Sequence, residues 1–336
     1  MSTTHPSTPV APFRDQSTGL ILFGVFQILI GCLCLLMAPC VLLPAFMSVQ
    51  SEAMSTQMML PGAAFYLLLA VAFITLGIGS IRARRWARAL TLVFSWMWLV
   101  FGVASLVFMV LYLPRMLAAL PQQIEAAQPA GTQAAQIPSQ VFFMIFMVTL
   151  GTSGCLYCVL PSVFLLFYQR QAVRATCEYR NPQTCWTDRC PLPVLAVTLA
   201  LAVSVISVPI SLAAFHSIPL FGVVLSGLRA ATVGLLMTVL LVWLVRGTYR
   251  LEMWSWWTLL LVFALGMASM AVTVGRLGLL PMYEQMGFPP AQLETLRKMG
   301  FDDSMGPLGW YALPTWIAML GYLLYLRRYF VRANTR

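Results

Sequence analysis

Eight long apolar runs constrain the fold of this chain more than any other feature of its sequence. A helix needs about 20 mostly apolar residues to cross roughly 30 Å of hydrocarbon, and each run is close to or above that length. Charged residues make up 9% of the chain, whereas a water-soluble domain carries about 25%. We therefore predict an all-α integral membrane protein, a bundle of about eight transmembrane helices. The runs cover residues 19–46, 61–81, 89–113, 141–168, 192–215, 220–245, 254–274 and 310–326.

A polar loop, which we call the connector, separates these runs into two blocks of four. Residues 1–18 are rich in Ser, Thr and Pro and have little to bury, so we predict that they form a disordered tail. The predicted units are then this tail, a first four-helix half, the cytoplasmic connector, and a second four-helix half with a basic C-terminal tail. Their boundaries are 1–18, 19–168, 169–191 and 192–336.

The basic residues predict which ends of the helices face the cytoplasm. They lie at the ends of the apolar runs and form no single patch, which argues against nucleic acid as a partner. An excess of Arg and Lys marks cytoplasmic segments. With both termini inside, fifteen arginines fall in inner segments and only Arg115, Arg276, Arg297 and Lys298 in outer ones. The inner arginines are Arg14, Arg82, Arg84, Arg85, Arg88, Arg170, Arg174, Arg180, Arg189, Arg246, Arg250, Arg327, Arg328, Arg332 and Arg336.

This distribution predicts an N-in, C-in protein of the bacterial cytoplasmic (inner) membrane. Arg82, Arg84, Arg85 and Arg88 between the second and third runs, with Arg327 and Arg328 after the eighth, set that topology. We expect membrane lipids as partners, anionic at the inner face. A protein partner or a second copy of the chain is left open.

The two halves resemble each other at their ends. The sequence 164–175 matches the sequence 322–333 at a constant offset, and each half has a short basic loop between its second and third runs. Because each half has an even number of runs, such repeats would be parallel. The alternative is that any two spans with basic ends look alike. In the last outer loop, residues 289–299 predict a short amphipathic helix.

Arg229 is the one charged residue that falls well inside a predicted run, about nine residues or roughly 14 Å of helix from its outer end. A charge at that depth is costly and marks a candidate functional site. No run contains Asp or Glu, so the available partners are Gln27, carbonyls, hydroxyls, a lipid phosphate or a substrate anion. Arg229 and Gln27 are thus the candidate intramembrane polar site, in either a structural or an anion-binding role. A stripe of small residues for close helix packing lies beside Arg229 and consists of Gly222, Ser226, Ala230 and Gly234.

The residues that usually carry metal or covalent chemistry give little support for an enzyme. Cys177, Cys185 and Cys190 in the connector only approximate a zinc-binding spacing and lack a fourth ligand. We expect free thiols, no metal and no cofactor. The sequence contains no P-loop, HExxH or GxSxG motif, so we expect no catalytic residues.

Three functions fit these observations. The first is a non-catalytic membrane component, or a partner-binding subunit, that presents its inner arginines to anionic lipid or to a partner. The second is a transporter or permease for a small or amphipathic solute, either neutral or anionic, with a site near Arg229. The third is a membrane enzyme acting on lipid, which rests on little more than the inner arginines.

Overall fold

The computed structural model describes residues 15–46, 56–126, 139–298 and 305–334. This part of the chain is almost entirely helical, because a backbone in hydrocarbon has to satisfy its own hydrogen bonds. The helices are α1 (Ser17–Phe46), α2 (Thr56–Ile81), α3 (Arg85–Ala126), α4 (Ser139–Gly154), α5 (Leu160–Tyr168), α6 (Gln171–Arg180), α7 (Leu192–Phe215), α8 (Gly227–Tyr249), α9 (Met253–Leu277), α10 (Leu279–Gln285), α11 (Pro290–Lys298) and α12 (Met305–Asn334).

Three short elements complete the fold. A π-helical turn, Cys155–Val159, joins α4 to α5, so that the two form one span. A 3-10 turn, Trp186–Arg189, precedes α7. Strands β1 (Ser217–Leu220) and β2 (Val223–Ser226) form an antiparallel hairpin between α7 and α8.

Seven helical segments are long and apolar enough to cross a membrane, which confirms the membrane class of the fold. They are Ser17–Leu43, Met59–Ile81, Arg85–Val107, Phe146–Tyr168, Leu192–Phe215, Gly227–Tyr249 and Met253–Leu277. The eighth predicted run lies in α12 and is not among these seven, so an eighth span stays a prediction.

Apart from the sixth run, the observed helices differ from the predicted runs at the connector and at the end of α3. The connector is not a plain loop, because it contains α6 and the 3-10 turn. Helix α3 continues to Ala126, well past the end of its apolar run. The predicted outer helix in residues 289–299 is present as α11, while residues 299 and 300 lie outside the described part of the chain.

The largest difference concerns the sixth run, whose first residues form the hairpin instead of helix. Phe221 and Gly222 both have positive φ, +46° and +86°, and they connect the paired residues Leu220 and Val223. A two-residue loop with two positive φ values is the turn that matches the twist of a hairpin, and glycine favours it. Helix α8 therefore begins at Gly227, seven residues later than predicted.

Helices α1 and α2 pack with their backbones in close approach. A Cβ atom on Gly77 would lie 2.6 Å from the carbonyl oxygen of Gly24, and one on Gly24 would lie 2.8 Å from the carbonyl oxygen of Gly77. Seven residues further along α1, a Cβ on Gly31 would lie 3.1 Å from the carbonyl oxygen of Ala70. Small residues at such interfaces allow the van der Waals contact that holds helices together where lipid is as apolar as the side chains.

Buried side chains form two clusters, one in each half. The first joins α1, α3, α5 and α6 around Phe164 and Tyr168. The second joins α3, α7, α8, α9 and α12 around Leu323, Leu326 and Phe330. Because α3 contributes to both clusters, it lies between the two halves.

The turns that follow α2 and α8 have the same geometry. After α2, the backbone N–H of Arg84 donates to the carbonyl oxygen of Gly79 at 2.9 Å, and Ala83 has φ +50°. After α8, the N–H of Glu252 donates to the carbonyl oxygen of Gly247 at 3.0 Å. Leu251 occupies the position of Ala83 and has φ +59°. Each turn thus ends its helix with one left-handed residue.

The glycine of each turn contacts a tryptophan at the start of the next helix. A Cβ on Gly79 would lie 2.8 Å from Trp86, and one on Gly247 would lie 2.5 Å from Trp254. Both pairs are seven residues apart in the chain. The match therefore includes side-chain packing as well as backbone conformation.

Candidate functional site

The segments that the sequence assigns to the inner side meet at one end of the bundle, which we call the basic end. The backbone N–H of Gln16, just before α1, donates to Thr176 Oγ1 in α6 at 3.1 Å. The hydroxyl of Tyr249, at the end of α8, donates to the carbonyl oxygen of Trp186 at 2.8 Å. The connector thus contacts helices of both halves at this end.

A cavity of about 240 Å³ lies at the basic end between α3, α6 and residues 187–192. We call it the arginine pocket. Its charged lining consists of Arg85, Arg88, Arg174, Glu178 and Asp188. The volume is below the roughly 300–1,000 Å³ of sites for drug-sized ligands and corresponds to about eight water molecules at roughly 30 Å³ each. A pocket of this size suits a small ion or a single head group.

One ion pair joins the start of α3 to the connector across the arginine pocket. Arg85 Nη1 lies 3.5 Å from Asp188 Oδ2. The same carboxylate oxygen accepts the backbone N–H of Cys185 at 3.0 Å and so caps the 3-10 turn. Asp188 therefore fixes the turn and holds Arg85 beside it.

The other two arginines of the pocket differ in their partners. Arg174 Nε donates to Glu178 Oε1 at 2.7 Å within α6, and this hydrogen bond raises the pKa of Arg174. Arg88 Nε donates to the carbonyl oxygen of Tyr168 at 3.0 Å. Within the described ranges Arg88 forms no ion pair, so its charge is the one in the pocket without a bonded counter-ion.

Two enclosed polar atoms beside the cavity have no hydrogen-bond partner among the residues that the structure describes. They are Thr187 Oγ1 and Arg85 Nε. Thr187 is only 2% exposed. A buried hydroxyl without a partner costs about 1–3 kcal/mol, so either water or a ligand that bonds to Thr187 Oγ1 would stabilise the pocket.

The two cysteines that line the pocket are poor nucleophiles. Burial raises the pKa of Cys177 to about 11 and the pKa of Cys190 to about 12. At neutral pH both thiols are protonated, and the thiolate is the reactive form. The described residues contain no group of three or more His, Cys, Asp or Glu that could hold a metal ion.

Arg229 lies elsewhere than the sequence indicated. Since α8 begins at Gly227, Arg229 is in the first turn of the helix and is exposed. The predicted depth of about nine residues is wrong, because the hairpin takes up the residues that were counted as helix. The guanidinium lies at the end of the bundle opposite to the basic end.

Gln27 is buried inside the bundle and is not a partner of Arg229. It is 1% exposed in α1, and its Nε2 donates to Thr91 Oγ1 of α3 at 3.3 Å. Its Oε1 has no partner within the described chain. No contact between described residues joins Gln27 to Arg229.

The predicted small-residue stripe is only half present. Gly222 lies in the hairpin turn and Ser226 ends β2. Ala230 and Gly234 are buried on α8, and a Cβ on Gly234 would lie 2.8 Å from Leu212 Cδ2 of α7. The close glycine contact of α1 and α2 was missed, although the seven-residue spacing of its small residues is visible in the sequence.

The six arginines predicted to set the topology all lie at the basic end. Arg82 and Arg84 are exposed beside the turn after α2, and Arg85 and Arg88 line the arginine pocket. The last two are on α12: Arg327 lies 5.6 Å from the ring of Trp256, and Arg328 lies 3.7 Å from that of Tyr325. Sequence reasoning found these arginines but not the pocket, because the residues that close it come from the connector.

No protein-family model, no curated protein and no solved structure matches the chain. The class of the protein therefore comes from its own fold. Seven apolar helices of spanning length make it a helical multi-pass integral membrane protein.

Proposed function

We propose that the protein is a non-catalytic component of the membrane whose basic end binds anionic lipid head groups. The observation that carries this proposal is the convergence of the arginine-rich segments at one end of the bundle. Arginines near an anionic membrane surface contribute about 1 kcal/mol each to the attraction. An acidic protein partner is the alternative ligand for this end of the bundle.

The distribution of charge along the chain also supports the basic end as the binding face. The predicted inner segments hold fifteen arginines and four carboxylates, and the remaining chain holds five basic and six acidic residues. The inner part thus carries +11 and the rest −1, which together give the formal net charge of +10. The buried, protonated thiols of the arginine pocket support a non-catalytic role.

We also propose eight spans with both termini inside, arranged as two parallel four-helix repeats. The contacts support this, because α1 packs on α2 and α3 on α5 in one half, as α7 packs on α8 and α9 on α12 in the other. The equivalent turns after α2 and α8 support it too. The matched glycine and tryptophan contacts favour a duplication over a chance likeness of basic-ended spans.

A transporter with a site near Arg229 is the alternative function. Its premise was a guanidinium deep in the membrane, and Arg229 lies exposed in the first turn of α8. No observation in the described chain favours this alternative over the first.

Lipid selectivity tests the proposed function. We expect the protein in phosphatidylcholine vesicles to retain spin-labelled phosphatidylglycerol in preference to spin-labelled phosphatidylcholine. R82Q/R84Q should reduce this preference, and high salt should do the same by screening. R229Q/R276Q is the matched control, since it removes two exposed arginines from the other end. Equal retention of the two lipids by the wild type would refute the proposal.

Labelling of Cys185 tests the orientation. A membrane-impermeant maleimide should modify a variant that retains only this cysteine in inverted vesicles and leave it untouched in intact cells. Labelling in intact cells would show that the basic end faces the outside, opposite to the proposed orientation.

A further inference from the structure

We propose that the arginine pocket binds one phosphate group, supplied either by a lipid head group or by a free phosphate ion. This inference rests on the proposed function, because it assigns a specific ligand to a site within the same basic end. It goes further in predicting saturable binding at one place, in contrast to general attraction over a surface.

The charges of the pocket leave room for an anion. Three arginines line it against two carboxylates, Glu178 and Asp188. Each carboxylate is already paired with one arginine, which leaves Arg88. Guanidinium groups match the geometry of phosphate oxygens with paired N–H donors. Arg88 uses its Nε on a backbone carbonyl, so its two terminal nitrogens are the donors available to a phosphate.

The enclosed polar atoms beside the pocket supply two further donors to a ligand. The hydroxyl of Thr187 is buried without a partner, and a hydroxyl can donate to a phosphate oxygen. Arg85 Nε is a second donor without an acceptor. Water alone could satisfy such groups in a polar cavity of this size, and that is the outcome which the experiment has to separate from phosphate binding.

The pocket is reached from the aqueous side of the basic end. Side chains of Asp188 and Glu178 are 37% and 43% exposed, whereas Thr187 lies deeper. A phosphate that contacts Arg85 competes with the carboxylate of Asp188 for that guanidinium. Removing the negative charge of Asp188 should therefore tighten phosphate binding, an effect that a purely structural role of Asp188 does not produce.

The experiment measures binding of inorganic phosphate to the full chain in phosphatidylcholine nanodiscs by titration calorimetry. A second arm counts phosphatidic acid molecules that stay bound to the protein in native mass spectrometry. We expect one phosphate group per chain. Loss of a hydrogen bond to a charged group corresponds to about tenfold to a hundredfold weaker binding for R88Q, with a smaller loss for T187V.

Matched variants keep the test decisive. R229Q removes an equally positive but exposed side chain at the opposite end of the bundle and should leave binding unchanged, while D188N should tighten it severalfold. T187V is isosteric and removes a hydroxyl without a partner, so it reports on the site even where R88Q does not fold.

The outcomes separate the ligand sources and the two proposals. Binding of phosphatidic acid alone assigns the site to a lipid head group, and binding of inorganic phosphate alone assigns it to a soluble anion. Absence of saturable binding in both arms, or equal weakening by R229Q and R88Q, overturns the phosphate site. If the phosphate site is overturned, a retained preference of the protein for phosphatidylglycerol still supports the proposed function. If instead the protein binds phosphate but shows no preference for phosphatidylglycerol, only the proposed surface role is refuted.

Discussion

Ser80 and Thr248 occupy the same position in two equivalent turns, yet among the described residues only the hydroxyl of Ser80 has a hydrogen-bond partner. Each follows the turn's glycine, Gly79 or Gly247, and each is buried. The hydroxyl of Ser80 bonds to the hydroxyl of Tyr168, whereas Thr248 Oγ1 has no partner in the described residues. At the offset that aligns the ends of the two halves, Tyr168 corresponds to Leu326, which has no hydroxyl.

Opposite effects on stability are expected from removing these two hydroxyls. S80A leaves the buried hydroxyl of Tyr168 without this partner and should lower the free energy of unfolding by about 1–3 kcal/mol. T248V removes a hydroxyl that is already unpaired and should be neutral or stabilising. Unfolding of the protein in mixed micelles with increasing denaturing detergent measures both changes.

A double variant provides the control for that comparison. S80A/Y168F removes both hydroxyls and should recover part of the stability lost in S80A, because no buried group is then left unpaired. A loss in T248V as large as that in S80A would contradict the assignment of Thr248 as unpaired.

The close contact of Gly24 and Gly77 predicts that α1 and α2 do not tolerate a side chain between them. In G77L the new Cβ would lie 2.6 Å from the carbonyl oxygen of Gly24, and the helices have to separate. Overpacking of this kind costs about 1–3 kcal/mol. G266L is the matched control, since a Cβ there has no atom within 4 Å. Equal unfolding midpoints for the two variants in detergent would show that the interface adapts without cost.

The membrane class and the position of the basic residues could be read from the sequence, because both depend on composition along the chain. Apolar runs of spanning length predicted all seven helices of spanning length that the described residues contain. Arg82 and Arg88 lie at the end of the bundle that the connector covers, and the sequence alone groups them with the connector. Such features are local, so no knowledge of tertiary contacts is needed to find them.

The hairpin and the arginine pocket could not be predicted in the same way. The residues around Gly222 are as apolar as those of a helix, and only the positive φ at two successive positions shows a turn. The pocket depends on Asp188 reaching Arg85 across about a hundred residues of chain. Arg229 was misplaced as a direct consequence of the hairpin, because its depth was counted from the wrong helix start.

Stability should fall at alkaline pH because of the two buried thiols of the pocket. Their native pKa values, about 11 for Cys177 and about 12 for Cys190, lie above the ordinary 9.0 of a thiol. Above pH 9 the unfolded chain releases these protons while the native state retains them, so the free energy of unfolding decreases as the pH rises. The contribution of the two thiols to that free energy is fully present below pH 9 and is lost as the pH rises through 11 and 12. C177A/C190A should show a smaller decrease in unfolding free energy between pH 8 and pH 11. An unchanged slope would argue against protonated thiols in the pocket.

The reactivity of Cys177 gives a direct test of its environment. A pKa of about 11 leaves roughly a hundredfold less thiolate at pH 8 than an ordinary thiol has, since each pKa unit is a factor of ten. Cys177 is also buried, whereas Cys185 in the same connector is partly exposed. In detergent at pH 8 we expect iodoacetamide to modify a variant that retains only Cys185 much faster than one that retains only Cys177, and denaturant should abolish the difference. Mass spectrometry of the quenched samples measures both rates. Similar rates before denaturation would mean that the packing of α6 against the first buried cluster does not persist in solution, and the arginine pocket would then lose the wall that Cys177 contributes.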